Sequence, residues 1–498
     1  MTLLSRLRTA LQPALDLASR ELDPDVVLQR TMSLLIERAR TTYREDRHGT
    51  WRPGEPLRLL FAGYAGTRNT GGDVRVEEMI RQFRQVLGPD NVELSILTFD
   101  PALTRGYFRA TRQIEAPLVF PKFLYDQVAD QHGVVACEGS MFKAKFASAL
   151  TTFMVGTLGL ANAGDKLSIA YGGEAGAMTP TLEDLVRRTC AESLVICRNQ
   201  ASRDTLGNLG VKSSLGTDTA WTFSPAPDAV GRELLRAAGW DGERPVLAIA
   251  PINPFWWPVR PDLVRTAAHA ALGLFEHERY RSIYFHHYDE EVERRQEVYL
   301  DALTHGVRAL RRRERPFIIC VGMEQLDRPA CEALSARLDH APVFVSDKVD
   351  MFQMVSLLRQ CRWLVASRYH AVVTSMPGGV LSVGVSMDER IRNLMDDRGT
   401  PELCLGVDDP DLARGIARGL DAVSADPEHH QARMRLTVAA NLERMGRMGM
   451  QLADYVHDRL PRFPLPEGRG RRGAWWEHLP PVDERVQALI DQQRGASA

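Results

Sequence analysis

Lysine is scarce in this chain of 498 residues, confined to a few positions that include Lys122, Lys143, Lys145, Lys166, Lys212 and Lys348. Arginine therefore carries nearly all of the positive charge. With a formal net charge of -2, the chain has no overall electrostatic footprint for nucleic acid, and any basic site must be local. The arginine preference reads first as a bias of the coding genome and second as a preference for bidentate anion binding. Cysteine is sparse as well: Cys137, Cys190, Cys197, Cys320, Cys331, Cys361 and Cys404 include no C-x-x-C pair. An odd, dispersed set in so long a chain reads as reduced, mostly buried thiols, and no zinc or iron–sulfur framework is visible. No window holds the roughly 20 apolar residues of a membrane span. The opening stretch MTLLSRLRTALQPALDLASRELDPD is interrupted by Arg6, Arg8, Asp16, Arg20 and Glu21, which excludes a signal-peptide core. Together these absences predict a cytoplasmic protein with no metal and no resident cofactor.

What is present is an ordinary globular composition, 44% apolar and 25% charged, long enough for two or three domains. Residues 1–55 read as two amphipathic helices broken at Asp23-Pro24-Asp25, an extension for packing or for homo-oligomer formation. From Leu57 the pattern becomes apolar runs of strand length (LRLLFAGY, NVELSILTF, GVVACEG, KLSIAYGG, SLVICRN) alternating with helical segments. Continuous apolar strands between amphipathic helices predict a parallel sheet covered on both faces. The alternation restarts after a turn-rich stretch, with VLAIAPI, SIYFHH, PFIICVGM, VFVSD, WLVAS and VLSVGVS as strands. The expected fold class is thus α/β: two doubly wound, Rossmann-like domains at 56–225 and 226–424, facing a cleft, with helical extensions at 1–55 and 425–498. In the last of these, Met and Leu recur at helical spacing, as packing residues do. The GRGRRG run beyond them reads as a solvated loop.

In such sheets ligands lie beyond the carboxyl ends of the strands. The first strand enters GYAGTRNTGGD, in which Gly66, Asn69 and Gly71 permit close backbone approach to a ligand, and Asp73 is placed to cap the following helix. The spacing is neither a Walker loop nor G-x-G-x-x-G, and a turn needed only for tight packing is an equal reading. CEGSMFK supplies Gly139 and Ser140, and YGGEAG supplies Gly172 and Gly173. Arg198 follows the apolar SLVI, either as a surface ion-pair partner or as a clamp for carboxylate or phosphate. In the second half, Trp256 and Trp257 follow the first strand and serve either as a stacking face for a sugar ring or as core. His286 and His287 follow the second strand; adjacent loop residues seldom bind one ion together, so they are assigned to the cleft. Finally, Ser367, Arg368, Tyr369 and His370 stand where an apolar strand meets a helix. Backbone N–H groups and Arg368 can bind an anion there, while His370 can move a proton at neutral pH.

At these residues the chain resembles the polysaccharide pyruvyl transferase family. The resemblance is carried by GYAGTRNTGGD, CEGS, ICRNQAS with GTDTAW after it, and SRYHAVVTS with VGVSMDERI, in that order over about residues 57–400. Tyr369 stands where the family has leucine, and Asn199 where an acid is common. The resemblance implies a glycosyltransferase-B-like fold and transfer of a pyruvyl group from phosphoenolpyruvate, as co-substrate, to a sugar as a ketal. The acceptor is then a carbohydrate or lipid-linked glycan, in exopolysaccharide or cell-envelope biosynthesis. Arg368 and His370 are the implied catalytic residues. Donor binding is expected from Arg198, Arg368, Tyr369, Ser367, Gly139 and Ser140, and the acceptor cleft from Gly66, Asn69, Gly71, Asp73, Gly172, Gly173, Trp256, Trp257, His286 and His287. Two other functions fit the same fold: a nucleotide-sugar-dependent glycosyltransferase, and a non-catalytic binding subunit.

Overall fold

A computed structural model describes residues 23–46, 49–109, 111–261, 284–469 and 473–497. The first domain is a sheet of seven strands, all parallel. These are β1 (Leu57–Ala62), β2 (Val92–Thr98), β3 (Arg112–Glu115), β4 (Gly133–Ala136), β5 (Leu167–Gly173), β6 (Leu194–Cys197) and β7 (Ser214–Leu215). Their spatial order is β3-β2-β1-β4-β5-β6-β7. The order reverses between β1 and β4, so the loops leaving those two strands diverge and open a crevice. β4 and β5 are buried along their whole length, as the continuous apolar runs require of strands covered on both faces.

The second domain begins with β8 (Val246–Ala250) and, after the two-residue strands β9 (Arg260–Pro261) and β10 (Tyr284–Phe285), continues through β11 (Phe317–Gly322), β12 (Val343–Val345), β13 (Trp363–Ala366), β14 (Leu381–Ser386) and β15 (Cys404–Gly406). Its six-stranded parallel sheet has the order β12-β11-β8-β13-β14-β15, with the reversal between β8 and β13. One expectation fails here. The described residues of SIYFHH supply no strand of this sheet: Tyr284 and Phe285 pair antiparallel with Arg260 and Pro261 in a separate ribbon, and Ser282 and Ile283 lie outside the described residues. Two residues of strand, with the polar His-His-Tyr-Asp following at once, are too few to span a buried sheet.

The Pro24–Asp46 helix packs on the Ser148–Ala163 helix of the first domain. A Cβ on Gly156 would lie 2.6 Å from Met32 Cε, and one on Gly159 2.6 Å from Ile36 Cδ1, so the glycines set the close approach. The preceding helix expected from the sequence lies outside the described residues. At the other end, the Pro427–Arg459 helix starts on the second domain, where Gln431 Nε2 donates to Gly379 O at 3.0 Å. It then crosses to the first, where Thr217 Oγ1 donates to Asn441 Oδ1 at 2.5 Å and Ser168 N donates to Tyr455 Oη at 3.1 Å. Met434, Met445 and Met448 on it are fully buried, so its Met pattern is packing. Part of GRGRRG, 470–472, lies outside the described residues. Among the described residues no helix is long and apolar enough to cross a membrane.

Candidate functional site

Both switch points face one cleft, and their loops interlock across it. From β1, Gly66 has φ +85°, and a Cβ there would meet the backbone N of Asp100 at 2.6 Å, so this turn requires glycine. The Thr70–Leu87 helix is capped by Asn69, whose Oδ1 accepts from Gly72 N at 3.1 Å. Asp73 is not the cap: it lies in the first turn, fully buried, with both carboxyl oxygens lacking a partner. Burial pushes its pKa well above the carboxylate range, with Glu324 and Glu138 adding to the rise and Arg68 opposing it. Burial without a partner for either oxygen favours the protonated form of Asp73, because an unpaired charge in that position is costly.

Glu324, two residues past β11, draws the two domains together. Tyr64 Oη donates to its Oε1 at 3.0 Å, Asn69 Nδ2 to its Oε2 at 3.1 Å, and Thr70 N donates to the neighbouring Met323 O at 2.8 Å. Arg368, at the end of β13, donates from Nε to Asp327 Oδ2 at 2.8 Å and from Nη2 to both Asp327 and Glu324 (3.2 Å to the latter). The guanidinium is thus largely committed to protein carboxylates, and Nη1 is the edge left over. Burial raises Glu324 to about 7, with Arg368 pulling it down and Asp327 pushing it up.

A second, drier cluster centres on Asp218, just beyond β7. Its Oδ1 accepts from Ala220 N at 2.9 Å. Its Oδ2 faces Arg198 Nη1 at 3.3 Å, His370 Nε2 at 3.3 Å and Arg75 Nη1 at 3.8 Å. Burial opposes ionisation of Asp218, but Arg75, His370 and Arg198 outweigh it and hold the carboxyl well below its usual range. The network continues through Glu174, which pairs with Arg198 Nη2 and with Lys143 Nζ at 3.3 Å. Lys143 in turn reaches Glu389 at 2.9 Å and Asp388 at 3.6 Å in the second domain. The Tyr369 ring lies under the Arg198 guanidinium, 4.5 Å from its carbon, and edge-on to His370 at 5.0 Å.

Glycines make this density possible. A Cβ on Gly71 would fall 2.2 Å from His370 Nδ1, and one on Gly139 would stand 2.9 Å from Nη1 of both Arg75 and Arg198. Gly172 has φ +66° and lies against Thr217 O. The expected residues therefore divide. His370, Tyr369, Arg198, Gly71, Gly139 and Gly172 gather around Asp218, and Gly173 packs on Met141 and Phe142 nearby. Arg368, Asn69, Ser140, Trp257 and His286 line a cavity of about 140 Å³ on the other side of the loops. Ser367 Oγ is bonded to Tyr299 Oη at 2.7 Å. Trp256 stacks on His286 with centroids 4.1 Å apart and is half-buried. His287 is exposed and pairs with Asp289, the cap of the Glu290–Gly306 helix, at 2.8 Å.

Residues beyond the expected set complete the site: Asp218, Arg75, Glu174, Lys143, Glu138, Glu324 and Arg390. Glu324 carried the same signal as the others, a charged residue directly after the apolar FIICVGM. Asp218 stood inside GTDTAW. Arg75, on a helix interior, had none.

Two doubly wound parallel domains closing on such a cleft define a glycosyltransferase-B-like architecture. No protein-family model matches the chain, and no curated protein matches it. Among solved structures it is similar to a UDP-GlcNAc 2-epimerase from Neisseria meningitidis bound to UDP-GlcNAc, at 10% identity, with 81% of this chain and 100% of that one covered and a TM-score of 0.47. It is also similar to a UDP-GlcNAc 2-epimerase from Methanocaldococcus jannaschii (9% identity, 73% and 92% covered, TM-score 0.46). A third is an ADP-heptose LPS heptosyltransferase II from E. coli (10%, 75% and 99%, TM-score 0.39).

Proposed function

We propose that this chain is a transferase that moves the pyruvyl group of phosphoenolpyruvate onto a pair of hydroxyls of a sugar or glycan precursor, forming a cyclic ketal. The observation that supports it best is the imidazole of His370 held at 3.3 Å from the ionised Asp218, with Arg198 and Arg75 on the same carboxylate. Such a pair orients an imidazole for acid–base work, and the guanidinium groups beside it favour a multiply charged anion. In the proposed reaction His370 gives a proton to the methylene carbon of phosphoenolpyruvate, and the positive charge that develops at C2 is met by one acceptor hydroxyl. The C2–O bond to phosphate then breaks with its electron pair on phosphate, and the second hydroxyl closes the ketal. Of the two hydroxyl protons released, one balances the proton given to carbon and the other leaves on phosphate. Arg198, Arg75 and the uncommitted edge of Arg368 offset the charge of carboxylate and departing phosphate.

Thermal-shift titration with phosphoenolpyruvate, set against UDP- and GDP-sugars, tests the donor, since a ligand of the native state raises stability by mass action. Stabilisation by phosphoenolpyruvate that is lost in His370→Ala and Arg198→Ala supports the reading. Stabilisation by a nucleotide sugar alone replaces it with glycosyl transfer. No response to either, together with no phosphate release from phosphoenolpyruvate, leaves a binding subunit.

A further inference from the structure

The cavity beside Arg368 is unlike the ionic cluster behind it. Phe99, Phe120 and Phe153 form one wall, with Phe153 centred 5.9 Å from Phe99 and 5.0 Å from Phe120. Across from them Phe146 meets Trp257 edge to face at 5.1 Å. The polar end holds two carboxyls, Glu138 and Glu324, and two guanidinium groups that are already engaged, Arg368 by Asp327 and Glu324, and Arg390 by both oxygens of Asp388 at 2.9 and 2.8 Å. Among the described residues Glu138 receives one long hydrogen bond, from Ser140 N at 3.4 Å, which leaves lone pairs for a donor.

We propose that this cavity is the acceptor subsite and that it selects a neutral glycoside bearing an apolar substituent, aryl or alkyl, with sugar hydroxyls on Glu138 and Glu324 and the substituent against the phenylalanine wall. The inference rests on the transferase reading only in calling the bound hydroxyl compound an acceptor. Two considerations select the ligand. A diphosphate entering here would face the Glu138 and Glu324 carboxyls and two guanidinium groups whose charge is already shared with Asp327, Glu324 and Asp388, whereas a sugar hydroxyl, both donor and acceptor, pairs with a carboxyl in either protonation state. A bare sugar would leave the aromatic wall in water, whereas an aryl or alkyl group removes that surface from solvent.

Binding of methyl, phenyl and octyl β-D-glucosides and β-D-galactosides to the full chain tests this, with the octyl compounds kept below their micellar concentration. Affinity is read by calorimetry and by the change in tryptophan fluorescence that Trp257→Phe removes. The phenyl or octyl member of at least one sugar series should bind about tenfold or more tightly than its methyl counterpart, the expected effect of burying several apolar carbons. Ala149→Phe, which fills the cavity from the Ser148–Ala163 helix, should abolish that preference; Ala147→Leu serves where Ala149→Phe fails to fold. Equal affinity across each series, a preference that survives in the filled variants, or UDP competing with the phenyl glycoside at equal or higher affinity would overturn the proposal. Phenyl preference without any response to phosphoenolpyruvate keeps the subsite and discards the pyruvyl donor. A phosphoenolpyruvate response without the preference does the reverse.

Discussion

The floor of the cleft and its mouth treat charge in opposite ways. On the floor, Asp218, Glu174, Arg75, Arg198 and Lys143 are buried together in one ion-pair network, and the cations around Asp218 hold its carboxyl well below the usual range. At the mouth, Glu324 and Asp73 are buried with fewer cations within reach, and burial raises both, Glu324 to about 7. Burial is common to both regions. The number of guanidinium groups within reach decides whether a carboxyl stays an anion or becomes a neutral acid. In the proposed reaction the floor holds the anion, and the mouth meets the hydroxyl groups beside an apolar surface.

The largest expected effect comes from breaking the floor. Asp218→Asn removes the carboxylate shared by His370, Arg198 and Arg75. Phosphate release from phosphoenolpyruvate should fall by about 100-fold or more, and unfolding stability by about 3 kcal/mol, because buried cations lose their partner. Turnover near wild type would mean that the cluster is structural. Next, Gly71→Ala sets a methyl group where His370 Nδ1 now lies. Turnover should fall by roughly 10-fold or more as the ring is displaced, with a smaller change in melting temperature than in Asp218→Asn.

A smaller effect, on stability rather than chemistry, is expected where the tail helix covers the floor. Met448 is fully buried and lies 2.7 Å from the position of a Cβ on Gly216. Met448→Ala should cost about 2–3 kcal/mol in denaturant unfolding, with phosphoenolpyruvate binding retained. The smallest effect sharpens the mouth. Burial raises Glu324 from the ordinary 4.5 to about 7 on folding, so the folded state binds the extra proton between those limits. Its contribution to stability is fully present below pH 4.5 and lost as pH rises through 7. Melting curves of Glu324→Gln should therefore decline less over that interval than wild type, and parallel slopes would place the titration elsewhere.

Much of this was legible in the chain because strand periodicity and strand-end position are local properties. LRLLFAGY, GVVACEG and WLVAS announced buried parallel strands, and the charged or glycine-rich residues after them marked the cleft. SRYH and ICRN were readable as strand-end residues for the same reason. Asp73 misled, because a carboxylate near a helix start is an ordinary cap, while here Asn69 performs that role. Trp256 and Trp257 allowed two readings, and they are partly buried against His286 and Phe146.

The sequence by itself determined the two doubly wound sheets, the strand-end loops and the glycines that let backbones meet, since each follows from patterns within some twenty residues. Only the tertiary structure decided which charges share a partner. That Arg75 from a helix interior, Arg198 from β6 and His370 from the second domain all converge on Asp218, while Arg368 is taken up by Asp327 and Glu324, depends on strand order and on the meeting of two domains. Coulombic partnership acts through space, over a few ångströms between residues up to about 300 positions apart, and nothing in local spacing encodes it.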